Sequence, residues 1–298
     1  MRSTVILLSP LQKSIMSISP IIEVSELFNI FKNPDVLIFD ASNSKHARTN
    51  YETEHLEGAV FVDLNTQLAD IKDDVSVGGR HPLPTIKKFS ETIADLGIDS
   101  NKHVVIYDDN AGSNAAARFW WMLKSTGFEN VQVLNGGFNQ AKKENFPLSS
   151  AIEQTKKTFV SDQIDHWCLP TVEITEVEEV SQNKNYIVID VRDKARYDGI
   201  TEPIDLIAGH IPGAINIPFT ENLDKNGLFL SSNELRKKYQ TTFGKIHPEN
   251  IIVHCGSGVT ACHTLLALAY AELELPKLYV GSWSEWSRNN KEIERTDG

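Results

Sequence analysis

Cysteine and positive charge are what this 298-residue chain has little of. Its three cysteines, Cys168, Cys255 and Cys262, leave an odd thiol after any pairing and fit no metal-ligand spacing. That excludes a disulfide scaffold and a cysteine-based metal knuckle, and it suits a reducing, cytoplasmic setting. With 29 basic against 40 acidic residues the formal charge is −11, which argues against a general binder of nucleic acid or of an anionic membrane. No apolar run approaches the length that spans a bilayer. The first 20 residues contain no acid and only a short apolar stretch at residues 5–8. They lack both a full signal-peptide core and the arginines of a transit peptide. They read as a disordered extension; were they a targeting segment, the destination would be mitochondrial. The remainder, 41% hydrophobic and 23% charged, is ordinary globular composition in a chain long enough for two domains.

The halves carry matching landmarks in the same order. An apolar run ending in aspartate occurs as Val36-Leu37-Ile38-Phe39-Asp40 and as Ile187-Val188-Ile189-Asp190. His55-Leu56-Glu57-Gly58-Ala59 is echoed by His210-Ile211-Pro212-Gly213-Ala214, and Val104-Val105-Ile106-Tyr107-Asp108 by Ile251-Ile252-Val253-His254-Cys255. Asn135-Gly136-Gly137-Phe138 answers to Val280-Gly281-Ser282-Trp283. The offset stays near about 150 residues, too long for a solenoid unit, so each copy is expected to be a domain. Short β-branched runs alternate with helical spacing, as in residues 85–96 and 114–125, and Ser231-x-x-Glu234 is a capping-box start. The expected fold is α/β, two tandem domains each with a mostly parallel central sheet flanked by helices. The first spans 21–148, a connector 149–170, and the second 171–298.

Cys255-Gly256-Ser257-Gly258-Val259-Thr260 lies between an apolar strand and a helix-forming run, at the carboxyl end of a strand where such sheets bind ligands. Unpaired N–H groups and the helix dipole at that place favour a thiolate, and the two glycines allow a tight cradle. The first half has Asp108-Asp109-Asn110 at the equivalent place and no thiol, so covalent chemistry is expected in the second half alone. The first half then supplies one wall of a cleft. A cysteine phosphatase would need a loop one residue longer, closed by an arginine; here Ala261 follows and no arginine closes the loop. A purely scaffolding role fits the first half but not the intact cysteine loop. No motif calls for a metal, nucleotide or flavin cofactor.

The tandem layout, the His210-Ile211-Pro212-Gly213-Ala214 stretch, the cysteine loop and the Gly281-Ser282-Trp283-Ser284-Glu285-Trp286 ending resemble the two-domain rhodanese sulfurtransferases, and the loop resembles their mercaptopyruvate branch. The resemblance implies a persulfide on Cys255, formed from a small sulfur donor and passed to a thiol or thioredoxin-like acceptor. Gly256, Gly258, Val259 and Thr260 would supply cradle N–H groups. Rhodaneses preferring thiosulfate carry cations just after the cysteine, where this chain has Gly256 and Ser257. The resemblance therefore implies 3-mercaptopyruvate as donor, with thiosulfate the alternative. It places a proton relay on Ser257, His81 and Asp63, and a carboxylate-binding arginine at Arg196. The family's second arginine follows a Glu-Pro pair, but here Glu202-Pro203 is followed by Ile204. Arg80 or Arg192 could take its place, though both read first as surface salt-bridge formers. His55 and His210 read as backbone-bonding residues, Trp283 and Trp286 as packing, and Cys262 as a core thiol.

Overall fold

The computed structural model describes residues 18–158 and 165–296, so the N-terminal extension expected over residues 1–20 lies almost wholly outside the described residues. The first half runs β1 (Ile21–Ile22), α1 (Val24–Ile30), β2 (Val36–Asp40), α2 (Ala47–Thr53), β3 (His55–Leu56), β4 (Ala59–Phe61), α3 (Leu64–Gln67), α4 (Ile86–Asp95), β5 (His103–Tyr107), α5 (Ala116–Ser125), β6 (Val131–Leu134), α6 (Gly137–Lys143) and β7 (Leu148–Ser149). The second runs β8 (Thr171–Val172), α7 (Ile174–Val180), β9 (Ile187–Asp190), α8 (Lys194–Tyr197), β10 (Ile215–Asn216), α9 (Ser232–Phe243), β11 (Ile251–His254), α10 (Ala261–Tyr270), β12 (Lys277–Tyr279) and α11 (Ser282–Trp286).

Each half builds one five-stranded sheet, in the orders β1-β6-β5-β2-β4 and β8-β12-β11-β9-β10. Every neighbouring pair in them is parallel. Strand for strand the two orders are the same, so the repeat seen in the sequence is a repeat of topology. β11 is buried at all four residues, as a central parallel strand covered on both faces must be. The aspartates that end the apolar runs end β2 and β9, where Asp40 and Asp190 stand opposite Tyr107 and His254. The likeness extends to side chains. Tyr51 stacks on His55 at 4.1 Å and Tyr197 on His210 at 3.7 Å, and each histidine Nδ1 meets its own tyrosine's carbonyl oxygen. The stretch from His55 to Phe61 is broken by a turn at Gly58 into β3 and β4, and β3 pairs antiparallel with β7.

Capping explains where several helices begin. Thr85 accepts from the Lys88 N–H ahead of α4, and Ser231 with Glu234 closes a reciprocal capping box ahead of α9. α9 continues to Phe243, four residues past Tyr239, because Tyr239 and Phe243 share its buried face. No described helix is long and apolar enough to cross a membrane.

Two helices lack the polar face that a surface helix needs. α5 buries nine of its ten residues and α10 eight of ten. They pack on each other between the two sheets, so one apolar cluster runs unbroken from Phe39, Phe89 and Trp121 to Leu265, Leu266 and Leu278. The tandem reading suggested halves that fold independently; the shared core makes each half the cover of the other's apolar helix. Residues 165–298 expressed alone are therefore expected to aggregate or bind an apolar-surface dye strongly. Co-expression with residues 1–158 should restore a soluble pair. A monodisperse, dye-negative second half with a cooperative melt would contradict the shared core.

Candidate active site

The cysteine loop follows directly from β11. Cys255 is 3% exposed, and the loop's carbonyls are tied to α11, since Trp283 N donates to Cys255 O at 3.0 Å and Ser284 N to Gly256 O at 2.8 Å. Cys255 N in turn donates to Ser282 Oγ at 3.2 Å. Gly258 has φ +72°, and a Cβ there would stand 2.5 Å from Val280 O, so the turn requires glycine. Carbonyls are thus drawn away from the cysteine. By contrast, among the described residues no protein acceptor takes the N–H of Gly256, Ser257, Gly258, Val259 or Thr260. Five successive free donors at the N-terminus of a ten-residue helix form a cradle that stabilises an anion beside Cys255. Cys262, the second residue of that helix, is fully buried. Its Sγ donates to Gly258 O at 3.4 Å, and burial pushes its thiol up to about 12, which makes it inert as a nucleophile.

The first half contains the same cradle, filled. Asp108 stands where Cys255 stands in the repeat. Its Oδ1 accepts from Asn110 N at 2.9 Å and Gly112 N at 2.8 Å, and its Oδ2 from Asn114 N at 3.0 Å and Ala116 N at 3.2 Å. The sequence reading missed this second cradle. Its signal was available: a strand-ending aspartate followed by an Asn/Gly/Ser-rich run.

The cleft wall is residues 78–81. Gly79 has φ +78° and lies so close to the second half that a Cβ would come within 2.4 Å of Gly281 O. Gly78 N donates to Glu285 Oε1 at 2.7 Å and Arg80 N to Ser284 Oγ at 3.1 Å. This docking sets His81 Nδ1 2.7 Å from Ser257 Oγ. Burial, then the nearby Arg80 and Arg118 charges, lowers the His81 pKa to about 4, so the imidazole is neutral in the neutral range. Arg118 of α5 is itself fully buried, donating to Gly258 O at 3.1 Å and to His81 O at 3.2 Å.

Asp63 does not join this pair. It caps α3, accepting from Thr66 N at 2.8 Å and Thr66 Oγ1 at 2.9 Å, and makes no hydrogen bond to His81 among the described residues. The structure bonds Ser257 to His81 and Asp63 to Thr66.

A cavity of about 170 Å³ opens over the loop, lined by Cys255, Ser257, Thr260, Arg196, Arg80 and Ile204 among others. Arg196 lies in it as expected, donating to Glu202 at 2.7 Å and to Asp205 at 3.2 Å. Arg80 and Arg192 are not the surface salt bridges read from the sequence. Arg80 crosses from the first half to the buried carboxylate of Asp205. Arg192 is buried over the Trp283 ring at 4.6 Å, paired with Asp190 and donating to Gly209 O at 2.7 Å. Ile204 stands at the lip, 56% exposed, and has nothing to donate. Trp283 and Trp286 are buried packing residues, and Cys168 is exposed in the connector.

Comparison with known proteins agrees with this geometry. A family model described as the rhodanese-like domain matches residues 23–144 and again 173–289. The chain is 33% identical to a probable 3-mercaptopyruvate sulfurtransferase from Pseudomonas aeruginosa, over 91% of this chain and 96% of that one. It is 36% identical to a thiosulfate sulfurtransferase from Cricetulus griseus, over 85% of each chain. The crystal structure of a 3-mercaptopyruvate sulfotransferase from Escherichia coli superposes with a TM-score of 0.73 at 30% identity, covering 90% of this chain and 100% of that one. With the same topology built twice, both copies matched and the cysteine cradle open in the second, this chain belongs to the rhodanese-like family in its two-domain form.

Proposed function

We propose that this chain is a sulfurtransferase that takes sulfur from 3-mercaptopyruvate onto Cys255 and hands it to a thiol or thioredoxin-like acceptor in a reducing, cytoplasmic setting. The observation that carries the reading is the open cradle around Cys255 with His81 of the other half bonded to Ser257 at its edge. The Cys255 thiolate attacks the donor's sulfur. A sulfur–sulfur bond forms as the carbon–sulfur bond breaks, and the bonding pair passes to carbon as the enolate of pyruvate. The proton that began on the donor's thiol ends on that carbon. Ser257 and neutral His81 share one hydrogen bond beside the reacting atoms, which suits them to carry it. The persulfide anion left on Cys255 is held by the loop N–H groups until an acceptor thiolate attacks its outer sulfur and releases Cys255 as thiolate. Arg196 binds the donor's carboxylate.

Thiosulfate is the second reading, favoured by one observation. Although Gly256 and Ser257 carry no charge, the Arg80 and Arg196 guanidinium groups lie against the loop and make the cleft cationic. The pair Ser257 and His81 decides for mercaptopyruvate, since thiosulfate cleavage leaves sulfite and requires no carbon protonation.

Cys255→Ser is expected to abolish sulfur transfer, while Cys168→Ser and Cys262→Ser retain most of it. Mass spectrometry after donor treatment should find one added sulfur on the peptide holding Cys255. Steady-state assays side by side should give a higher kcat/KM for mercaptopyruvate than for thiosulfate; the reverse order would make thiosulfate the donor. A pH titration tests the state of His81. The unfolded chain protonates this side chain near its ordinary 6.5, whereas the folded one refuses the proton until about 4. The contribution of His81 to stability is thus fully present above 6.5 and falls as pH drops from 6.5 towards 4. Its ring proton resonance, assigned with His81→Gln, should not move between pH 8 and 5.5. A midpoint near 6.5 would rule out the neutral relay.

A further inference from the structure

We propose that Arg80, delivered by the first half, is the second arm of the carboxylate clamp and fixes the chain's preference for an α-keto-acid donor; this rests on the donor reading above. Ile204 stands where the resemblance calls for the second arginine and has no donor, so the carboxylate would meet only Arg196 from its own half. Arg80 reaches the same place from across the cleft. A Cβ built on Gly256, the residue after the nucleophile, would stand 3.1 Å from Arg80 Nη2, and 3.5 and 3.6 Å from Arg196 Nη2 and Nη1. The two guanidinium groups therefore flank one point beside Cys255.

Their other nitrogens are already occupied. Arg80 donates through Nη1 to Asp205, and Arg196 through Nε and Nη2 to Glu202 and Asp205. Arg80 Nη2 and Arg196 Nη1 have no protein acceptor among the described residues. The Asp205 side chain is fully buried and also accepts from Arg288 at 3.2 Å, so one fixed carboxylate holds both arms. Within this network Arg80, Arg192, Arg196 and Arg288 face Asp190, Glu202 and Asp205. The donors left for an incoming anion are therefore Arg80 Nη2 and Arg196 Nη1. Exposed Asp193 at the rim caps α8 by accepting from Arg196 N at 3.1 Å. Two guanidinium nitrogens from opposite sides match the two oxygens of a carboxylate. Arg80 adjoins His81, so one short segment of the first half brings both the clamp's second arm and the proton relay.

The test compares the unmodified protein with Arg80→Gln and with Arg80→Gln combined with Ile204→Arg, using mercaptopyruvate and its carboxylate-free analogue mercaptoacetone as donors. Losing one arm of a charge-assisted contact is expected to raise the mercaptopyruvate KM about ten- to a hundredfold, with a smaller effect on kcat. The mercaptoacetone KM should hold, and Ile204→Arg should recover most of the loss. An unchanged mercaptopyruvate KM, or an equal rise for both donors, overturns the clamp. Pyruvate binding to the Cys255→Ser protein, with and without Arg80→Gln, reads the clamp apart from turnover. If mercaptopyruvate is not turned over, the donor reading fails. The clamp falls with it only if Arg80→Gln also leaves pyruvate binding unchanged.

Discussion

A buried guanidinium with no carboxylate partner among the described residues, that of Arg118, joins the two sides of the cleft. It leaves α5 of the first half and donates to Gly258 O in the cysteine loop and to His81 O in the facing wall. Taking such an ion out of water costs several kcal/mol, which two carbonyl oxygens offset only in part. The remaining attraction is to sulfur: Cys262 and Cys255 both lie within its field. The Arg118 charge sits behind the loop that carries Cys255. Arg118 thus ties the cysteine loop to the facing wall, beside the α5–α10 packing that joins the halves. The same charge helps hold His81 neutral.

What the sequence revealed was local. The strand ends at Asp40, Asp190 and Cys255 were legible because a buried parallel strand needs a short run of β-branched residues, and the repeat marks each one twice. The cysteine loop was legible because glycine spacing and a following helix suffice to define an anion cradle. Asp63 was ambiguous because a strand-end aspartate before a short helix looks the same whether it faces the cleft or caps the helix. Only the Thr66 contacts separate the two. The partners of Arg80 and Arg118 were out of reach for a different reason. These partners, Asp205 and Gly258, lie more than a hundred residues away, and no periodicity records a contact between halves.

The two copies solve one geometric problem in opposite ways. Each sheet delivers a loop of inward N–H groups at the end of its central strand. In the second half these donors are left open beside a sulfur; in the first, the Asp108 carboxylate takes four of them. Freed from holding an anion, the first half instead contributes rigid surface, with α5 against α10 and residues 78–81 against α11. Gly79 shows how little tolerance remains there, since even a methyl group would strike Gly281 O.

The filled cradle of Asp108 also sets a capacity. If Cys255 carries the sulfur as proposed, the Asp108 loop adds no second store, because its N–H groups are already taken by its own carboxylate. On the proposed route, donor and acceptor would both use the cleft that opens over the Cys255 loop. On that route, turnover alternates loading and unloading of one sulfur.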